Sequence, residues 1–219
     1  MHIREFAKTS PDKPAIIMAG TGEVITYREL DERSNRIAHY FRDQGLEVGD
    51  HIAFLMENHS RFLEICWGAQ RAGLYYTAIS SRLSAEEASY IINDCGARLF
   101  ITSAFKSDLA SGLIGRIPNV RTSLMLDDII DGFASFETTI ANYPTTPLPD
   151  ECEGADMLYS SGTTGKPKGI KPADIGEPIG SEDNLFTVLK HLYGFDQETV
   201  YLSPAPLYHA APLRYNMRV

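Results

Sequence analysis

The densest run of chemistry-bearing residues in this chain is the decapeptide SSGTTGKPKG, Ser160 to Gly169. It holds four hydroxyls (Ser160, Ser161, Thr163, Thr164), three glycines (Gly162, Gly165, Gly169) and two lysines (Lys166, Lys168). Glycine lets a backbone N–H turn towards an anion with no Cβ in the way, hydroxyls add donors that rotate, and lysines add charge. Together they describe a loop able to cradle a phosphate. A surface turn also uses Gly, Ser, Thr and Pro. An unbroken run of this kind, directly after the apolar lead-in Asp156 to Ser160 (DMLYS), exceeds what turn chemistry asks for. A Walker A loop requires GxxxxGK followed by Ser or Thr. Here Gly162 stands only three residues before Gly165, and Pro167 follows Lys166. The spacing excludes that reading.

A second segment, Pro206 to Leu213 (PLYHAAPL), sets Tyr208 and His209 in an otherwise apolar run. An imidazole there is either a hydrogen-bonded packing residue or a polar group presented to a ligand, and the segment alone allows both. The three cysteines, Cys66, Cys95 and Cys152, are widely spaced, and no Cys or His cluster has the spacing of a metal site. No metal ligands are expected from the motifs. Unpaired thiols and an N-terminus (MHIREFAKTSPDKP) without the apolar core of a signal peptide point to the cytoplasm. A net charge of −9 argues against a nucleic-acid partner. The charge-free stretch Thr199 to Leu213 contains Pro204, Pro206 and Pro212, so no membrane span is expected.

The elements that must position these segments show a strong alternation. A short opening helix precedes a hairpin, with Ala15 to Met18 and Val24-Ile25 flanking Gly20-Thr21-Gly22. Thr26 and Glu29 form a capping box opening a helix that Gly45 closes, its apolar stripe being Leu30, Ile37, Ala38 and Phe41. Strands are predicted at His51 to Met56, Tyr75 to Ile79, Leu99 to Thr102 and Ser123 to Leu126. Helices are predicted at Ser60 to Ala72 and Ser84 to Asp94, then a weaker one after Thr102, and another near Asp128 to Asn142. This is the pattern of right-handed βαβ units: an α/β fold with a mostly parallel sheet flanked by helices. Tyr143 to Asp150 (YPTTPLPD) reads as an exposed connector between an α/β portion, residues 1–142, and a motif-bearing portion, residues 151–219. A further helix is predicted over Ser181 to Tyr193, with Asp183 near its start.

Met157 to Ile170 (MLYSSGTTGKPKGI) resembles the signature phosphate loop of the adenylate-forming, AMP-binding superfamily: acyl-CoA synthetases, luciferases and peptide-synthetase adenylation domains. PLYHAAPL resembles that family's next motif, an aromatic-and-histidine segment beside the acyl pocket. Thr26 to Gly73 has the cadence of its N-terminal region, so the resemblance spans nearly the whole chain, with the two later motifs diagnostic. After the loop, Ile170 to Gly180 (IKPADIGEPIG) departs from the Thr-His-x-Asn type of stretch that many members carry.

The resemblance implies an ATP-dependent acid–CoA ligase acting on a fatty or aromatic acid. It implies ATP, Mg2+ and coenzyme A as cofactor and co-substrates. Ser160, Ser161, Gly162, Thr163, Thr164, Gly165 and Lys166 would embrace the β- and γ-phosphates, with Thr163 and Thr164 nearest the transferring centre and Lys168 supporting the loop. His209 would lie by the α-phosphate and the acyl carboxylate, with Tyr208 lining the acyl entry. The family's adenine- and ribose-binding segments, magnesium-binding Glu and mobile C-terminal lid all follow the histidine motif. None precedes Val219. The expectation is therefore an incomplete N-terminal domain, inactive alone in ATP–pyrophosphate exchange and open to self-association through uncovered surfaces. An adenylation domain loading a carrier protein, and a non-catalytic nucleotide-binding remnant, are the competing readings.

Overall fold

The computed structural model describes residues 2–160, 166–173, 175–181 and 184–218, and for residues 184–186 and 189 the backbone alone. Helix α1 (Ile3–Thr9) leads into an antiparallel hairpin of β1 (Pro14–Ile17) and β2 (Val24–Thr26). Thr26 then caps α2 (Tyr27–Asp43). Its hydroxyl accepts the Glu29 N–H at 3.2 Å, and the Glu29 carboxylate accepts the Thr26 N–H at 2.9 Å. Gly45, at φ 71°, takes the left-handed turn that ends the helix.

The alternation then runs β3 (His51–Leu55), α3 (Phe62–Arg71), β4 (Tyr75–Ile79), α4 (Ala85–Asp94) and β5 (Leu99–Ser103). Ser84 and Glu87 cap α4 reciprocally. A 3-10 turn at Ala104–Lys106 and the single turn α5 (Ser107–Ser111) precede β6 (Thr122–Leu126), β7 (Ala134–Ser135) and α6 (Phe136–Ile140). The motif-bearing stretch contributes β8 (Ala155–Asp156), β9 (Leu158–Ser160), β10 (Lys168–Ile170), α7 (Asn184–Tyr193) and α8 (Ala210–Asn216).

Six strands form one parallel sheet in the order β7-β6-β5-β3-β4-β8. Alternate residues of a strand face opposite sides, and each side is covered. Ile52 and Phe54 of β3 join Ile37 and Phe41 of α2 and Ile65 of α3 in one apolar cluster. Ala53 and Leu55 join Ile91 and Ile92 of α4 and Phe100 of β5 in the other. Every residue of β4 and β5 is buried, as expected of strands with a helical layer on both faces. The expected α/β architecture is the observed one.

Two local readings differ from the structure. The helix anticipated near Asp128 to Asn142 is only α6, after a turn and the two-residue β7. Asp127 sits at φ 70° and Gly132 at φ 88°, which no helix accommodates, and the Ser135 hydroxyl accepts the Thr138 N–H, so the helix can start only after it. The lead-in DMLYS is not one apolar strand. It divides at Met157 into β8, an edge of the main sheet, and β9, an arm of a separate hairpin.

Residues 143–150 carry neither helix nor strand but lie against α2. Asn35 donates to the Thr145 carbonyl at 2.8 Å, Arg36 to the Tyr143 carbonyl at 3.1 Å, and Arg42 pairs with Asp150 at 3.0 Å. Leu148 is buried. Just beyond, a buried polar cluster joins three helices to the approach of β8. Arg71 of α3 has no exposed side-chain surface and pairs with Asp31 of α2, with Asn35 accepting a further bond; Glu151 lies alongside and pairs with Arg4 of α1. Burial pushes the Arg71 guanidinium below its ordinary range, while Asp31 opposes the shift.

The chain enters β8 through Gly154, where there is no room for a side chain. A Cβ there would strike the Leu74 carbonyl oxygen and stand 2.8 Å from the Leu74 nitrogen and 2.9 Å from the Ala69 oxygen. These are backbone atoms of the last turn of α3 and of the α3–β4 turn, and they cannot rotate away. Gly154→Ala is expected to cost about 1–3 kcal/mol, read as a lower urea midpoint at unchanged m; an unaltered midpoint would contradict this packing.

Candidate functional site

The phosphate-loop segment is built as a hairpin springing from the edge of the main sheet. Tyr75 pairs with Ala155 and Tyr76 with Asp156, placing β8 parallel to β4. At Met157 the chain turns away, its N–H still bonded to the Tyr76 carbonyl at 2.9 Å and its carbonyl held by the buried Thr77 hydroxyl at 2.8 Å. β9 then pairs antiparallel with β10, with Leu158 opposite Ile170, Tyr159 opposite Gly169 and Ser160 opposite Lys168. The loop between the arms is SGTTGKP. Ser161, Gly162, Thr163, Thr164 and Gly165 lie outside the described residues.

The described flanks are docked on α4. Tyr159 donates to Asp94 at 2.6 Å, and Tyr90 donates to the Pro167 carbonyl at 3.4 Å. Burial, and then the Asp94 bond, push the Tyr159 phenol far above its ordinary range, so it stays a donor. The Lys166 ammonium lies 4.7 Å from the Tyr90 ring centroid, a cation–π contact. Ser160, Lys166 and Lys168 are exposed. Among the described residues, neither lysine faces a carboxylate within ion-pair distance.

Past β10 the segment is pinned at the amino ends of β3 and β4. Lys171 lies 4.3 Å from the Tyr75 ring centroid and 3.0 Å from His51 Nε2, and the Tyr75 hydroxyl donates to the Pro172 carbonyl at 2.7 Å. Lys171, which sequence reading left without a role, is thus an anchor of the hairpin's exit.

The second motif is held from both sides. Asn58, just after β3, donates to the Ala205 carbonyl at 3.1 Å and accepts the Leu207 N–H at 2.9 Å, bracketing the chain before Tyr208. Leu207 is buried, Tyr208 is half-buried against the core, and His209 is exposed. His209 is the N-cap residue of α8, its ring 4.5 Å from that of Tyr208. Beyond it, Leu213 is fully buried and Arg214 forms a bidentate pair with Asp156. The second motif is thus held beyond the carboxyl end of β3 by Asn58, and its helix is joined to β8, from which the hairpin springs, by the Asp156–Arg214 pair.

Sequence reading missed Asn58, Thr77, Tyr90, Asp94, Asp156 and Arg214. Only Asp156 carried a local signal, as a charge inside a stretch that must pair with a buried strand.

Two other polar groupings lie outside the two motifs. A cleft of about 230 Å³ is lined by Arg33, Arg36, Arg61, Glu64 and Glu137 among others. Arg33 already pairs with Glu29 and Glu64, Arg61 with Glu64, and Arg36 with backbone carbonyls. Glu57, His59 and Asp127 bring three ligand atoms within 4.8 Å of one another, which motif spacing did not reveal. His59 Nδ1 accepts the Arg61 N–H, which leaves the proton on Nε2 facing Asp127 at 3.2 Å, and Ser103 donates to Glu57 at 2.6 Å. His59 and Asp127 therefore form a pair, and Glu57 beside them is bonded by Ser103.

With the hairpin and the histidine segment located, the family can be decided. The model of the AMP-binding enzyme family matches residues 3–218. The chain belongs to the AMP-binding enzyme family. It is 31% identical over 167 residues to a fatty acid–[acyl-carrier-protein] ligase, ScoC, of Streptomyces coeruleorubidus, covering 75% of this chain and 30% of that protein. It is 28% identical over 216 residues to the long-chain-fatty-acid–CoA ligase FadD13 of Mycobacterium tuberculosis, covering 96% of this chain and 41% of the relative. The crystal structure of the N-terminal domain of FACL13 from Mycobacterium tuberculosis shares the fold at a TM-score of 0.77 and 23% identity, over 98% of this chain and 52% of that one. The chain thus spans between 30% and 52% of the length of these relatives. Among the described residues, no helix is long and apolar enough to cross a membrane.

The exit anchor makes stability pH-dependent. Burial, and then the Lys171 ammonium, hold His51 down at about 4, against an ordinary 6.5. A histidine whose folded pKa is depressed contributes stability that is present above 6.5 and lost as pH falls towards 4. His2, held at about 2 mainly by burial, acts in the same direction. His51→Phe keeps a ring to stack on Tyr75 and removes the titration, so its urea midpoint should fall less than that of the wild type between pH 7 and pH 4.5. Equal falls would contradict the assignment.

Proposed function

We propose that this chain carries the phosphate-handling and acyl-facing elements of an ATP-dependent acid ligase. In the reaction, a carboxylate oxygen attacks the α-phosphorus of ATP, forming an acyl–AMP anhydride as the bond to pyrophosphate breaks. A thiol then attacks the acyl carbon and AMP leaves. A carboxylate is a poor acyl donor because oxide is its leaving group, and adenylation replaces oxide with AMP.

The observation that carries the reading is the β9–β10 hairpin. Among the described residues its flanks carry two exposed lysines, Lys166 and Lys168, that face no carboxylate within ion-pair distance, and they border a loop whose sequence is rich in glycine and hydroxyls. Its donor set fits a polyphosphate: all N–H, O–H and N+–H groups, with no carboxylate between Ser160 and Gly169. In this reading Ser160, Ser161, Gly162, Thr163, Thr164, Gly165 and Lys166 hold the β- and γ-phosphates and steady the charge that develops on them. Lys168, paired opposite Ser160 in the ladder, supports the loop from its far arm. His209, at the head of α8, faces the α-phosphate and the acyl carboxylate, with Tyr208 at the acyl entry. A divalent magnesium ion, when bound, supplies further neutralisation of the phosphates; we assign it no ligand among these residues.

The substrate class is a fatty or aromatic acid, and the acceptor is the thiol of coenzyme A, a reading supported by the likeness to FadD13. The likeness to ScoC supports a second reading, in which the acceptor thiol belongs to a carrier protein.

Titration calorimetry with Mg-ATP tests the common core of both readings. Lys166→Ala should weaken binding about tenfold, the size expected for loss of one charged contact, while circular dichroism and the unfolding midpoint stay unchanged. Equal affinity in the variant and the wild type would overturn the role given to Lys166.

A further inference from the structure

We propose that the Asp156–Arg214 ion pair is the positioning device of this site, fixing the helix headed by His209 to the strand from which the phosphate hairpin springs. The proposal rests on the reading of hairpin and His209 as one ATP site, and it adds a residue pair that joins the two.

Asp156 is the last residue of β8 and is only 8% exposed. A carboxylate so placed is costly unless it is paired. Arg214 Nε stands 3.2 Å from one of its oxygens and 3.1 Å from the other, and Nη2 stands 2.8 Å from the second. Among the described residues no other side chain bonds to it. A two-nitrogen fork on a carboxylate fixes the relative orientation of the groups as well as their distance, so it restrains the rotation of α8.

That restraint matters because α8 has few others. It is seven residues long, well below the length at which a helix persists alone, and the His209 side chain makes no capping bond. Leu213 is its one buried residue, with Met217 buried just after it; Asn216 donates to Ser203 at 2.8 Å and Tyr215 stacks on Tyr201 at 5.9 Å, contacts that leave the rotation of its first turn to the Arg214 fork. His209 is therefore held between two fixed points: Asn58 bonds the chain at Ala205 and Leu207 ahead of it, and Arg214 bonds Asp156 behind it. Asp156 is also two residues ahead of Leu158, where the hairpin begins. Among the described residues, this pair is the one side-chain hydrogen-bonded link between β8 and α8, so a shift of β8 is passed to α8 through it. Lysine cannot replace this arginine in kind, since one ammonium cannot grip both oxygens in a plane.

The test uses the 219-residue chain with Arg214→Leu, Arg214→Lys and Asp156→Asn. Arg98→Gln serves as a control, because Arg98 pairs with Asp50 before β3 and bonds to neither Asp156 nor Arg214. Hydrogen exchange is measured without nucleotide, and Mg-ATP affinity by calorimetry at a temperature where every variant is folded. Arg214→Leu should speed exchange in α8 and in β9–β10 together by about tenfold or more while β3 and β5 stay protected. It should also weaken ATP binding by about tenfold, with Arg214→Lys intermediate. Arg98→Gln should lower the unfolding midpoint without changing ATP affinity. Exchange unchanged in either segment, or ATP affinity that falls in Arg98→Gln as it does in Arg214→Leu, overturns the proposal. A wild-type chain that binds no ATP but shows the coupled change in exchange upholds the pair and overturns the functional reading instead.

Discussion

The parallel pairing of Tyr75 with Ala155 and Tyr76 with Asp156 is the constraint on which the rest of the site depends. It is short, and its register decides everything downstream. A slip of one residue would exchange the faces of every side chain in β8. Asp156 would then turn from Arg214, Met157 would lose the Thr77 hydroxyl that holds its carbonyl, and the hairpin would leave the sheet in another direction. The register is protected from behind by the bare backbone contact at Gly154 and by the Arg71–Asp31 and Arg4–Glu151 pairs, which tie the approach to α1, α2 and α3.

Much of the frame was legible because its signals are local. Thr26 with Glu29, and Ser84 with Glu87, are capping boxes readable within four residues, and both are present. The buried strands read as apolar runs because helices cover both faces of the sheet. The helix anticipated after Asp127 failed for the converse reason. Ile129, Ile130, Phe133, Phe136 and Ile140 can be read at helical spacing, but the backbone at Asp127 and Gly132 breaks it and Ser135 restarts it. Periodicity reports which residues are apolar and is silent on a left-handed residue between them.

The site was legible as chemistry and not as geometry. SSGTTGKPKG and PLYHAAPL could be named from residue types alone, yet what positions them comes from far along the chain. Asn58 lies 149 residues from Leu207, and Asp156 lies 58 from Arg214. Nothing local marks such partners. The charges divide in a way composition could not show. Arg33 of α2 and Arg71 of α3 are bound into pairs with Glu29, Glu64 and Asp31, whereas Lys166 rests on an aromatic ring and keeps its charge available for an anion. Lys171, by contrast, is committed to His51 and Tyr75, so adjacent positive residues of one segment have different roles.

On the proposed reading, the hairpin and the head of α8 together form one nucleotide-phosphate site. Mapping backbone amide NMR shifts during titration with Mg-ATP tests it most directly. Saturable shifts should concentrate in residues 158–170 and 205–210, with little change in α2 and α6. Shifts confined to the arginine-lined cleft between α2 and α6, or none at saturating nucleotide, would contradict it.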